Sequence, residues 1–170
     1  MNIELKQNIW KSDESGLGFY CINIYECSKQ NPDLEELLKN DILKEKEFGP
    51  FERIKNELRG PVDHYGPILL KEIEISDFKT LDFNGLKSEI NNYWKDEDWG
   101  KDLPIFQKNF ELAIANLNKL NLSNRKFYYI NAEKIDSKKL TEPNFFTYFV
   151  CIISTENKTN KLINLTFGLD

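Results

Sequence analysis

The run Phe145-Phe146-Thr147-Tyr148-Phe149-Val150-Cys151-Ile152-Ile153 is apolar at both odd and even positions. Successive side chains of a strand point to opposite faces, so a strand of this kind has to be covered on both sides. It belongs in the middle of a sheet, with further chain packed above and below. A chain of 170 residues is one domain's worth, long enough to bury roughly 70% of the surface its unfolded form exposes. With 40% apolar and 30% charged residues, it is neither a disordered tract nor a membrane protein by composition.

The rest of the chain supplies partners for that strand. Ile3 to Trp10 alternates loosely, Ser12-Asp13-Glu14-Ser15-Gly16 has turn chemistry, and Leu17 to Cys27 is β-rich, which predicts an opening hairpin. Asn31-Pro32-Asp33 places a capping Asn before Pro, and Leu34, Leu37, Leu38 and Ile42 follow at helical spacing. A second, shorter helix opens at Pro50 with Phe51, Ile54 and Leu58 on one face, closed by Gly60-Pro61. Ile68 to Ile75 reads as a strand, because Glu72 and Glu74 alternate with Ile73 and Ile75.

A third helix carries Leu86, Ile90, Tyr93 and Trp94. The fourth has Asp102 as cap, Pro104 in its first turn, and Phe106, Phe110, Ala113, Ile114 and Leu117 on one stripe. Strands follow at Lys126 to Ala132, Asn144 to Ser154 and Lys161 to Phe167, the last two forming a hairpin. No linker, low-complexity tract or repeat interrupts residues 1–170. The expectation is therefore a single α+β domain with a mainly antiparallel sheet of five or six strands and about four helices.

Charge and cysteine content narrow the function. The formal net charge is -5, and the basic residues are twenty Lys against three Arg (Arg53, Arg59 and Arg125). Scarce Arg and a pI near 5.1 argue against a nucleic-acid partner, which calls for clustered cations and bidentate guanidinium contacts, and favour a basic protein partner. Three cysteines without a Cys-x-x-Cys pair fit a reducing compartment. Cys21 and Cys27 lie roughly 18 Å or more apart along an extended strand, too far to join. Cys151, inside the apolar run, reads as a buried inert thiol. Met1 to Lys6 lacks the basic region and apolar run of a signal peptide, and no stretch approaches the roughly 18 apolar residues of a membrane span, so a cytoplasmic location is expected.

Catalytic signals are sparse. His64, the single histidine, sits between Gly-Pro pairs beside Asp63 and supports an acid/base reading only with help from another element. No Gly-rich phosphate loop, nucleophile elbow or metal-ligand spacing occurs, so neither cofactor nor metal is expected. The most informative segment is Tyr93-Trp94-Lys95-Asp96-Glu97-Asp98-Trp99-Gly100-Lys101-Asp102, joining the third and fourth helices. Carboxylates just after a helix oppose its dipole, so Asp96, Glu97 and Asp98 add nothing to local stability. Rings ringed by carboxylates suit capture of a basic protein surface, which makes Trp94, Asp96, Glu97, Asp98, Trp99 and Asp102 the candidate partner-binding residues. The alternative is that Trp94 and Trp99 pack inward, Asp102 caps the next helix, and the remaining charges are solvated.

In size, acidity, aromatic α+β make-up, low Arg content and want of catalytic residues, the chain resembles the immunity proteins of bacterial toxin systems such as contact-dependent growth inhibition. Its closing pattern, Phe145 to Ile153 and then Lys161 to Asp170, is similar to the strands that end many such proteins. The resemblance implies a non-catalytic cytoplasmic inhibitor that binds one cognate toxin domain, commonly a basic nuclease, and blocks its active site or substrate approach. Two other classes stay open: a small enzyme using His64, and an adaptor that recognises a partner along a terminal strand.

Overall fold

The computed structural model describes residues 1–14, 16, 18–43, 63–96, 99–142, 144 and 146–169. Eight strands are present among them: β1 Ile3–Ser12, β2 Gly18–Cys27, β3 His64–Tyr65, β4 Ile68–Leu69, β5 Lys79–Leu81, β6 Arg125–Asn131, β7 Tyr148–Glu156 and β8 Lys161–Leu169. Three helices accompany them: α1 Leu34–Lys39, α2 Phe83–Asp96 and α3 Leu103–Leu117. Six strands form one antiparallel sheet in the order β1-β2-β8-β7-β6-β5, and β3 and β4 make a separate small hairpin. The α+β class and antiparallel sheet agree with the sequence reading. Helices number three among the described residues rather than about four, the segment opening at Pro50 lying outside them. No helix among the described residues is long and apolar enough to cross a membrane.

The doubly apolar run holds an inner place, between β6 and β8, and every residue from Tyr148 to Thr155 is buried. Its even-numbered side chains, Tyr148, Val150 and Ile152, join a core under α2 and α3 with Tyr20, Ile22, Leu165 and Phe167. Its odd-numbered ones, Phe149, Cys151 and Ile153, join a second core with Phe19, Tyr25, Tyr128, Leu37, Tyr65 and Ile68. Strand periodicity thus sorts one run into two cores.

The opening hairpin forms as expected. Asp13 closes it: its backbone N–H donates to Gly18 O (2.8 Å) and its carboxylate accepts from Gly18 N–H (2.9 Å). Gly16 supplies the left-handed residue, at φ +74. The first helix is capped differently from the expectation. Asp33, not Asn31, is the N-cap, in a reciprocal pairing with Glu36. That helix stops at Lys39 although Ile42 continues the apolar spacing. Asp41 turns left-handed (φ +61), and the amides of Asp41 and Ile42 fold back onto Leu38 O and Leu37 O at 3.1 and 3.2 Å. This double return bond ends a helix while still burying Ile42.

Of the strand expected from Ile68 to Ile75 only Ile68–Leu69 forms. Gly66-Pro67 turns the chain so tightly that Ile68–Leu69 pairs with His64–Tyr65, and Glu74 and Asp77 cap a single 3-10 turn, leaving Ile75 49% exposed. The apparent alternation of Glu72 and Glu74 with isoleucines came from turns, not from a half-buried strand.

Candidate functional site

The connection between α2 and α3 is built from the inside out. Asp82 starts α2 by accepting from Gly85 N–H (2.7 Å), and Leu86, Ile90 and Tyr93 point into the core. The last carbonyls of a helix lack intrahelical donors. Trp99 supplies one: its indole N–H donates to Tyr93 O at 3.2 Å while its ring stacks on Tyr148 (3.8 Å between centroids) and meets the edge of Tyr93 (4.8 Å). Trp99 is 3% exposed, so it serves as an internal plug for the end of α2 and presents no surface to a partner.

Trp94 is half-buried, edge-on to Phe110 at 5.7 Å. Its indole Nε1 is shut off from solvent with no hydrogen-bond partner. Asp102 begins α3 through its backbone, whose carbonyl accepts from Ile105 and Phe106 N–H at 3.1 Å each. Its carboxylate makes no capping bond and, among the described residues, forms no ion pair. Asp96 is the last residue of α2, and its side chain, with Glu97 and Asp98, lies outside the described residues. The inward packing anticipated as the alternative therefore holds for Trp99, and Asp102 is the N-cap as expected, through its backbone and without a side-chain bond.

Tyr93 ties this region to the sheet. Its hydroxyl donates to Glu133 Oε1 at 2.7 Å, and burial first, then the Glu133 carboxylate, pushes the phenol far above its ordinary range.

His64 is 8% exposed, and its Nδ1 donates to Gly66 O at 2.6 Å within the β3–β4 turn. The hydrogen bond places a proton on Nδ1 and holds the ring against its own turn. Asp63 is exposed, with its carbonyl accepting from Leu70 N–H (2.9 Å). All three cysteines are buried and unbridged, Cys151 Sγ donating to Asn164 Oδ1 at 3.3 Å. No cluster of His, Cys, Asp and Glu among the described residues could hold a metal ion.

Two features escaped the sequence reading. One is a polar row that runs from exposed Asn8 on the edge strand to buried Asn23 and Asn164 in the second core. Asn8, Asn23 and Asn164 lie in register across β1, β2 and β8. Asn8 Nδ2 donates to Asn23 Oδ1 (2.6 Å), and Asn164 Nδ2 donates to Tyr65 OH (2.9 Å), which lies 2.6 Å from Thr166 Oγ1. A lone Asn amid the apolar residues of β2 and of β8 was the available signal. Such a row penalises register slips, because a one-residue shift would turn each amide into the other core.

The other is a groove of about 620 Å³ between the β1–β2 turn and the flank of α3. Lys11, Tyr20, Ile105, Lys108, Asn109 and Leu112 supply most of its wall. Ile105, Asn109, Leu112 and Asn116 recur along one side of α3, and Asn116 Nδ2 donates to Tyr20 OH at 3.2 Å. A second cleft of about 560 Å³ lies beside Arg125 and Glu156, but its one buried cation is consumed by the fold. Arg125 donates to Ser154 Oγ (2.9 Å), Ser154 O (3.2 Å), Lys161 O (2.8 Å) and Glu156 (3.1 Å).

Comparison of the chain with protein-family models, with curated proteins and with solved structures finds no match.

Proposed function

We propose that this chain is a non-catalytic inhibitor of the immunity-protein kind, which binds one basic toxin domain, a nuclease in the form favoured here, and covers its active site or the approach of its substrate. The observation that carries the reading is the idle carboxylate of Asp102. It stands at the head of α3, where capping would be its ordinary use, yet it makes neither a capping bond nor an ion pair among the described residues. Together with Asp96, Glu97 and Asp98 it places four carboxylates between Trp94 and the start of α3. A concentration of carboxylates at one junction is what recognition of Lys and Arg groups requires, since opposite fields speed encounter and set register. Trp94 provides the aromatic contact, and Trp99 holds the junction in shape from within. A toxin acting on nucleic acid carries cations for phosphates, and these carboxylates would occupy them. The cytoplasm is where such an inhibitor would act.

The test replaces Asp96→Asn, Glu97→Gln, Asp98→Asn and Asp102→Asn together and titrates the product against a basic nuclease domain encoded beside this chain. The association rate should fall about tenfold, with a weakened dependence on salt. Unchanged affinity and rate would remove the junction from the interface, and want of any binding or inhibition by the unaltered chain would remove the reading itself.

One observation favours a second mode. β1 is ten residues long and stands at the edge of the sheet, so an extended partner segment has a strand to pair with. A bulge between Leu5 and Gln7 breaks that edge, with the Lys6 ammonium between Glu4 (2.7 Å) and Glu26 (3.6 Å), which limits unspecific pairing. Hydrogen exchange separates the modes: edge pairing protects β1 amides in the complex, and junction binding protects Trp94 to Asp102.

A further inference from the structure

The groove between the β1–β2 turn and α3 holds an anomaly. Asn109 is 6% exposed and lines the groove, yet its carboxamide has no hydrogen-bond partner among the described residues. The polar atoms of that carboxamide are not sealed from solvent, so the amide opens into the groove and can pair with what enters it. Around it stand the ring of Tyr20, the half-buried Ile105 and Leu112, which is 44% exposed. Leu112 is one of few large apolar side chains left open to water, and it lies beside the unpartnered amide.

We infer that this groove is a binding site for an extended peptide segment that inserts one large apolar side chain, with Asn109 pairing to a peptide unit next to it. A carboxamide offers an acceptor at Oδ1 and donors at Nδ2, the complement of one backbone C=O and N–H. Ile105, Leu112 and Tyr20 form the apolar wall for the inserted side chain. The volume of about 620 Å³ accommodates a large side chain and its flanking peptide units. A purely apolar occupant, such as a lipid tail, would leave the Asn109 amide still unpaired and dry. The charged lining balances, with Lys11 and Lys108 against Asp13 and Glu14, so the site selects by shape and by the peptide unit, not by net charge. This site rests on the protein-binding reading given above and gives the partner a second point of attachment, chemically unlike the acidic junction.

The probe is N-acetyl-L-tryptophanamide, with 3-methylindole as the same ring without peptide units, each titrated into isotope-labelled protein and followed by NMR. The blocked amino acid should shift the Asn109 side-chain amide and the Leu112 methyl signals at millimolar concentration, and bind roughly fivefold more tightly than 3-methylindole. Asn109→Ala should erase that preference, Leu112→Asp should abolish binding, and the affinity should not change with salt. Asn109→Leu should melt no lower than the unaltered chain, which an amide retained for packing would contradict. Equal binding of both probes, no shift at Asn109, or a large loss of stability in Asn109→Leu would each overturn the site. If the groove takes the blocked amino acid as described while the chain binds no toxin domain, the peptide site stands and the inhibitor reading falls. If a toxin domain is inhibited while the probe is ignored, the groove falls alone.

Discussion

Trp94 and Arg125 show opposite ways of burying a polar group. The Trp94 indole N–H is sealed from water and has no hydrogen-bond partner among the described residues. Its replacement by Phe keeps the edge contact with Phe110 and deletes the unsatisfied donor, so Trp94→Phe should melt at the same temperature or slightly higher, by up to about 1 kcal/mol, in a thermal denaturation series. Arg125 is the reverse case. Its guanidinium is buried and spent on four acceptors spread over β7 and β8, with the Glu156 carboxylate compensating its charge. Burial lowers its pKa from the ordinary value, and the carboxylate acts against that shift. Arg125→Ala should cost about 3 kcal/mol by denaturant titration, since it leaves the Glu156 carboxylate with only the Thr159 hydroxyl and removes the donor from two backbone carbonyls. Nothing in the residue string Asn124-Arg125-Lys126 separates this arginine from a surface cation. Only the convergence of three strand ends does.

Element by element, the sheet is held by close approach at a few positions. Gly168 in β8 pairs with Phe19 of β2 on one side and Phe149 of β7 on the other. A Cβ there would stand 2.3 Å from the Phe19 ring, which itself stacks on Trp10 at 4.5 Å. Gly168→Ala should therefore destabilise the protein by about 1–3 kcal/mol, and Phe19→Leu should recover part of that loss in a double-mutant cycle. The elements themselves were legible wherever local pattern and tertiary setting agreed. The hairpin of β1 and β2, the stripe on α3 from Phe106 to Leu117, and the inner position of β7 all followed from periodicity and turn residues. Residues 68–75 misled because two-residue alternation also arises when turns expose successive glutamates. The end of α1 at Lys39 misled because Asp41, not Gly, adopts the left-handed terminating conformation. The candidate junction was legible as a concentration of charge and rings, but the inward turn of Trp99 depended on Tyr148, forty-nine residues further on, and the half-burial of Trp94 on Phe110.

On the scale of the whole molecule, three buried tyrosines make the fold sensitive to alkali. Tyr20, Tyr93 and Tyr128 all have phenols raised above the ordinary value of 10.0, with burial the leading cause in each. A raised folded pKa means that the unfolded chain ionises first as pH climbs. The stabilisation is therefore complete below about pH 10 and is lost above it, by about 1.4 kcal/mol per pH unit for each phenol still protonated in the fold. Denaturant midpoints measured from pH 8 to 12 should hold level and then fall. Absorbance titration should show Tyr93 ionising only at unfolding; early, separate ionisation of Tyr93 would contradict its buried bond to Glu133. The chain alone determined the class of fold, because a run apolar on both parities cannot be satisfied except inside a covered sheet, and it determined the acidic balance. The tertiary structure alone decided which polar groups were left without partners among the described residues, Asn109, the Trp94 indole and the carboxylate of Asp102 being three of them. The physical reason is that satisfaction of a hydrogen bond is a property of neighbours brought from distant positions, which periodicity along the chain does not encode.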